Sequence, residues 1–232
     1  TSIDNWALIF SGGNPTLFSY TMPLLVVEFD FTVTLFRVYA IAIKATGGLG
    51  LTADLTFGYD TFGIRQALNS GNPWDAINGF YVSDNFSDPE YYRTLNSTDQ
   101  AIEGRFEHKE DGTTVFDRHD IKLSAFIGIQ AAIDAWVAEA GVQGTIELNV
   151  GFNFNDINND NKLRLDEIVT MFNYEPAPGT LPSQDSDLAR ELAEFGGVLN
   201  LFDISAVVTA NVTLFFDSWF SDRSEILLAQ FE

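Results

Sequence analysis

Ile121-Lys-Leu-Ser-Ala-Phe-Ile-Gly-Ile-Gln-Ala-Ala-Ile-Asp-Ala-Trp-Val137 alternates without a break. Every odd position is Ile, Leu, Ala or Val, while Lys122, Ser124, Gln130 and Asp134 fall between them. A helix of period 3.6 would scatter that face around its circumference, whereas a strand keeps it on one side. Downstream the phase moves to Val142, Ile146, Leu148, Val150, Phe152 and Phe154, which predicts a turn or bulge near Glu139-Ala-Gly141. Upstream, the odd positions from Leu25 to Leu35 are apolar and Glu28, Asp30, Thr32 and Thr34 lie between. Gly47-Gly48 interrupts this run, which then resumes through Leu49, Leu51, Leu55 and Phe57, so two or three antiparallel strands fit residues 22–60. A last alternating block covers Phe202 to Phe216.

Strands of this length exceed the usual five or six residues. The expectation is one mainly β domain over residues 1–232: a large curved antiparallel sheet, a flattened sandwich or a barrel-like closure. The apolar positions would form its inner face. Between the blocks, Gly63–Leu68 reads as a short helical turn, Phe80–Val82 as a short strand, and Glu110-Asp-Gly-Thr113 as a hairpin turn. Asp84–Thr98 reads as an exposed, irregular acidic loop and 176–182 as a linker. Ser186–Phe195 reads as a short amphipathic helix stopped by Gly196-Gly197.

Residues 156–167, Asp-Ile-Asn-Asn-Asp-Asn-Lys-Leu-Arg-Leu-Asp-Glu, follow the plan of an EF-hand calcium loop. Asp156, Asn158 and Asp160 occupy loop positions 1, 3 and 5, and Glu167 closes the loop at position 12. A hard cation takes six to eight oxygens, and this spacing converges them. Lys162 would ligate through its backbone carbonyl, Arg164 only through a water. Leu163 would anchor the loop. Asn161 replaces the usual Gly at position 6, where the turn needs a positive φ that Asn tolerates. The entering segment alternates like a strand; only the exit reads as helical. The charge balance predicts weak Ca2+ binding, with Kd on the order of 10⁻⁵ to 10⁻³ M. An Asn/Asp-rich turn that binds nothing is the plainer alternative.

The chain has 33 acidic and 12 basic residues, a net charge of −21. That excludes a basic nucleic-acid footprint and disfavours anionic membrane surfaces, while salt or divalent cations would screen the self-repulsion. With no cysteine there are no disulfides, thiolate zinc sites or cysteine nucleophiles. No uninterrupted apolar run approaches the ~20 residues of a transmembrane helix. The start at Thr1 and the apolar end, Ile226–Phe231, suggest a mature or excised piece of a longer chain.

Four stretches carry a resemblance: Leu17–Leu24, Phe57–Ile64, Asn78–Asp84 and the loop at 156–167. In that order the chain, over roughly residues 6–216, resembles an uncharacterised β-rich domain of very large secreted proteins of marine bacteria and cyanobacteria. The resemblance implies a non-enzymatic, extracellular or cell-surface setting rich in calcium, such as an adhesin, filament or matrix component. Neighbouring domains or subunits would be its partners.

Other chemistry is sparse. His108 and His119, the only two histidines, lack zinc-ligand spacing and read as exposed hairpin residues. No nucleophile elbow or phosphate loop is present, so no catalytic residue is assigned. Asp84, Asp88 and Glu90, with Asn85 and Ser87, could form a second calcium site, against a plainly solvated loop. The 21 phenylalanines are expected mainly in the core. The alternative function is a module binding a glycan or apolar ligand on the sheet face or the 84–98 loop. Long alternating strands also suit a transmembrane β-barrel, but an acidic exterior, long polar insertions and the calcium loop weigh against it.

Overall fold

The computed structural model describes residues 13–83, 86–87, 89–108, 112–135, 137–156, 160–173 and 201–231. The predicted linker at 176–182 and helix at 186–195 lie outside them.

Period-2 runs become long antiparallel strands. Six of them form one sheet: β2 (Leu25–Val38), β3 (Ile41–Ala53), β9 (Ile121–Ala135), β10 (Ala138–Phe154), β12 (Phe202–Ser218) and β13 (Ser221–Phe231). Their order is β13-β12-β10-β9-β3-β2. β10 alone has 17 residues, roughly 56 Å at the usual rise. Three hairpins with minimal turns join β2 to β3, β9 to β10 and β12 to β13, all at one end of the sheet. The β9–β10 turn follows Ala135, which pairs with Ala138, so it falls earlier than the phase change near 139–141 suggested.

At the opposite end the chain makes two long excursions, residues 54–120 and 155–201. The first contains β4 (Thr56–Asp60), β5 (Phe80–Ser83), β6 (Phe86–Ser87), β7 (Gly104–His108) and β8 (Thr114–Arg118). It also holds α1 (Thr61–Ser70), a 3-10 turn (Pro73–Gly79), α2 (Pro89–Tyr92) and α3 (Ser97–Glu103). β7 and β8 form the hairpin expected around 110–113, its tip outside the described residues. β4 and β5 join β1 (Thr16–Thr21) and β11 (Leu163–Arg164) in a four-stranded sheet ordered β1-β4-β5-β11. α1 begins where Asp60 caps the Phe62 N–H and ends where Gly71 turns left-handed at φ 73. Part of the stretch read as an irregular acidic loop is helical: α2 and α3 occupy it, α3 capped by Asn96, and Thr98 is buried.

The fold is therefore mainly β and antiparallel with few short helices, and among the described residues no sheet closes into a barrel. One expectation is reversed. The face that carries the odd-numbered apolar residues of β9 is the exposed one: Ile127 and Ile129 are 65% and 62% exposed, and the adjoining Gln130 only 2%. The same inversion runs through β3, where Ile41, Ile43 and Leu49 are exposed and Ala42, Thr46 and Gly48 buried. Phe29, Phe31 and Phe216 stand outward as well, so these phenylalanines are not core. The polar face is the inner, less exposed side. There Lys44 pairs with Glu139 at 2.6 Å and Arg37 with Asp134. Periodicity sorts residues onto two faces without saying which of them ends up covered.

Candidate functional site

The exit half of the 156–167 loop is built as its spacing requires. Asn161 adopts φ 59, one of two non-glycine residues with positive φ among those described. Its N–H donates to Asp156 Oδ2, folding the loop back on its first residue. Leu163 is buried and pairs with Val82, so β11 stitches the loop to β5. α4 (Leu165–Phe172) follows at once. Within its first turn Glu167 is 8% exposed, and its Oε2 accepts the Arg164 N–H at 2.9 Å.

Glu167 Oε1 is buried and has no hydrogen-bond partner. Burial raises the pKa of this carboxyl; the Arg164 N–H opposes that, and the negative charges of Asp156, Asp160 and Asp166 add to the rise. Such an oxygen, facing neighbouring carboxylates, is what a cation would stabilise. Asn158 lies outside the described residues. Among those described, no three His, Cys, Asp or Glu side chains are gathered closely enough to hold an ion by themselves.

The two basic residues of the loop form a strut. Arg164, 1% exposed, donates to Asp60 Oδ1 at 3.1 Å and Oδ2 at 2.9 Å, and to Asp160 Oδ2 at 2.9 Å. Its guanidinium lies 4.5 Å from the Phe62 ring centroid. Lys162 Nζ reaches Asp60 Oδ2 at 2.8 Å across the Tyr81 ring. The Arg164 side chain is thus committed to carboxylates, where the spacing suggested it would carry a water. Neither the arginine's burial nor Asp60, about a hundred residues away in sequence, is signalled by the loop motif.

His119 is buried, correcting its assignment to an exposed hairpin. Asn153 Nδ2 donates to Asp117 Oδ2 at 2.9 Å, and a carboxylate only accepts. The amide oxygen of Asn153 therefore faces His119 Nδ1, 2.9 Å away, and fixes the imidazole proton there. Nε2 of the neutral ring accepts from Ser205 Oγ at 3.2 Å; only the protonated ring donates from Nε2 to the Ala101 carbonyl, 3.3 Å away. The ring packs so closely over Gly151 that a Cβ there would meet it at 2.3 Å. Burial lowers the His119 pKa; hydrogen bonds to Asn153 and Ala101 oppose this, and Lys122 and Arg105 add to it. Ser205 lies near the start of β12, so the relay joins the first excursion to the sheet. A cavity of about 210 Å³ opens beside it, lined in part by Arg105 and Asp203, which pair with each other.

Of the 84–98 candidates, Asp84, Asn85 and Asp88 lie outside the described residues, and Glu90 is exposed. On the apolar face of the sheet, Val27, Phe29, Leu49, Leu51, Leu123 and Leu148 border a shallow depression of about 470 Å³. Compared with known proteins, the chain matches no family model, no curated protein and no solved structure.

Proposed function

We propose that the chain is a non-enzymatic structural module of a large extracellular or cell-surface protein, with Ca2+ locking the loop at 156–167. The observation that carries this is the buried, unpartnered Glu167 Oε1 at position 12 of a loop whose position 6 already holds the positive φ. Asp156, Asp160 and Glu167, which do not yet converge in this structure, would close on the ion to supply carboxylate oxygens, with Asn158 and the Lys162 carbonyl completing the shell. Open sheet edges support the building-block role. Among the described residues β2 and β13 each pair on one side only, and such edges accept strands from neighbours.

Thermal unfolding with calcium against chelator tests the reading. At calcium about 100 times Kd, the stabilisation is about 2.7 kcal/mol. Glu167→Gln keeps the size of the side chain, removes the charge and abolishes the shift. An equal shift in wild type and variant, or none at millimolar calcium, refutes the metal lock. The apolar depression favours a hydrocarbon over a glycan among ligand readings, since Ser124 is the one residue of its lining with a hydrogen-bonding side chain.

A further inference from the structure

We infer that the apolar face of the six-stranded sheet is bounded by the hydrocarbon of a lipid bilayer, the chain forming an arc of a membrane-embedded β-barrel wall. Five strands carry the case. In register on this face, Leu25–Val33 of β2, Ile41–Ala53 of β3, Ile121–Ala135 of β9, Ala138–Phe154 of β10 and Phe202–Phe216 of β12 present only Ala, Val, Leu, Ile, Phe or Gly. No serine, threonine or charged residue interrupts it. Soluble monomers rarely expose apolar patches beyond a few hundred Å², and this one crosses the whole sheet.

The inverted burial decides between occupants. A sheet packed in a sandwich interdigitates its apolar inner face with a second sheet about 10 Å away. Here the apolar face is the outer, more exposed one, and the polar face with Lys44, Gln130 and Glu139 is the inner one. Lipid chains cover an exposed apolar sheet face without a second sheet packed on it. Apolar-out and polar-in alternation is the pattern of a membrane barrel wall.

Dimensions agree. The exposed apolar span runs from Ile41 to Leu49 on β3, Leu123 to Ile133 on β9 and Val208 to Phe216 on β12. Each fits the roughly 9–11 residues with which a tilted strand crosses hydrocarbon. At the short-turn end, Tyr39, Trp219 and Phe220 are 97%, 84% and 87% exposed, where aromatic side chains mark a membrane interface. Both long excursions leave from the other end, giving the short-turn and long-loop asymmetry of outer-membrane barrels. The acidic residues of the five strands, Glu28, Asp30, Asp134, Glu139, Glu147, Asp203 and Asp217, all lie on the inner face. Hydrocarbon does not tolerate open edges. The even strand count lets β13 of one arc meet β2 of the next antiparallel, as a closed ring requires.

The test uses the full chain, which has no cysteine. Single variants Ile129→Cys and Leu214→Cys on the outer face, and Thr145→Cys and Glu147→Cys on the inner, are labelled with an environment-sensitive fluorophore. The protein is then reconstituted in phosphatidylcholine vesicles containing doxyl-labelled lipid. Quenching at 129 and 214 several-fold above that at 145 and 147 is the expected result. Equal quenching overturns the inference. So does unlabelled wild type that stays out of floated vesicles and sediments as a lipid-free dimer, which would assign the face to a second copy. Two inner positions guard against one variant failing to fold, with circular dichroism confirming β-structure. The alternation is expected with calcium or chelator, so failure of the metal lock leaves it readable.

Discussion

Replacing Asp60 with Asn should damage the loop strut more than any other near-isosteric change. Asp60 is fully buried and its carboxylate accepts from Arg164 twice, from Lys162 and from the Phe62 N–H. Asn keeps one acceptor and turns an NH2 group toward two cations. Lys162, about a fifth exposed, can move its ammonium to water, but Arg164 cannot. Removing one partner of a buried ion pair costs about 3–5 kcal/mol because a charge is left uncompensated. Asp160 remains beside Arg164, so the lower end applies, about 3 kcal/mol including part of the α1 cap. Urea unfolding followed by near-UV circular dichroism measures it. Arg164→Met, which removes the cation and keeps the volume, should cost less, because Asp60 retains Lys162. The double variant should recover part of the Asp60→Asn loss. A loss below 1 kcal/mol for Asp60→Asn, or no recovery in the double variant, refutes the claim that the arginine is dry and dependent on this carboxylate. The pH dependence has a definite sign. Burial raises the Asp60 pKa, but Arg164, Lys162 and the Phe62 N–H outweigh it, and the net shift is downward. Its contribution is present above the unfolded value near 3.9 and is lost as pH falls through the folded value.

Glu167 behaves oppositely. Its folded pKa is raised, so in calcium-free protein its contribution is present below the unfolded value and lost as pH rises through the folded one. Calcium must displace that proton, and the calcium-induced rise in melting temperature should shrink as pH falls through the folded value, in a titration of melting temperature against pH. His119 is held neutral by burial; its contribution is present above the unfolded value near 6.5 and lost as pH falls through the folded one. Melting scans between pH 7.5 and 5 should show this decline, flattened in His119→Gln. At Asn161, with φ 59, Val should cost about 1–2 kcal/mol while Gly is tolerated; equal melting temperatures for the two would mean that the loop does not need the positive φ.

Much of the sheet was legible because alternation survives any tertiary context. β2, β3, β9, β10 and β12 fall where the period-2 runs lie. What alternation cannot carry is which of the two faces ends up covered. Ile129 and Gln130 are assigned to opposite faces correctly by sequence, yet which one meets the outside depends on how strands 13–17 residues long coil together. The short helices α2 and α3 were missed because neither carries a period long enough to register. Their signals are local: Asn96 capping the Asp99 N–H, and Pro89 opening a turn. In the loop, spacing identified the αL position and the buried Leu163, both set within a dozen residues. It missed Asp60 because that contact is made by the pairing of β11 with β5, far away in sequence.

That same pairing joins the metal reading to the architecture. Leu163 pairs with Val82, and Lys162 and Arg164 both end on Asp60, so the second excursion is fastened to the first. The first is fastened to the sheet by the Asp117–Asn153–His119–Ser205 chain and by the Phe154 N–H donating to Asp120. A cation at 156–167 would stiffen this junction at the long-loop end. It would leave the short-turn end, with Tyr39 and Trp219, untouched. Calcium removal should therefore increase amide exchange in β11, α4 and β5, while protection in the middle of β9 and β10 stays constant. Uniform loss of protection across the sheet would mean that loop and sheet are one cooperative unit, and the metal would then be holding the wall together as well as the loops above it.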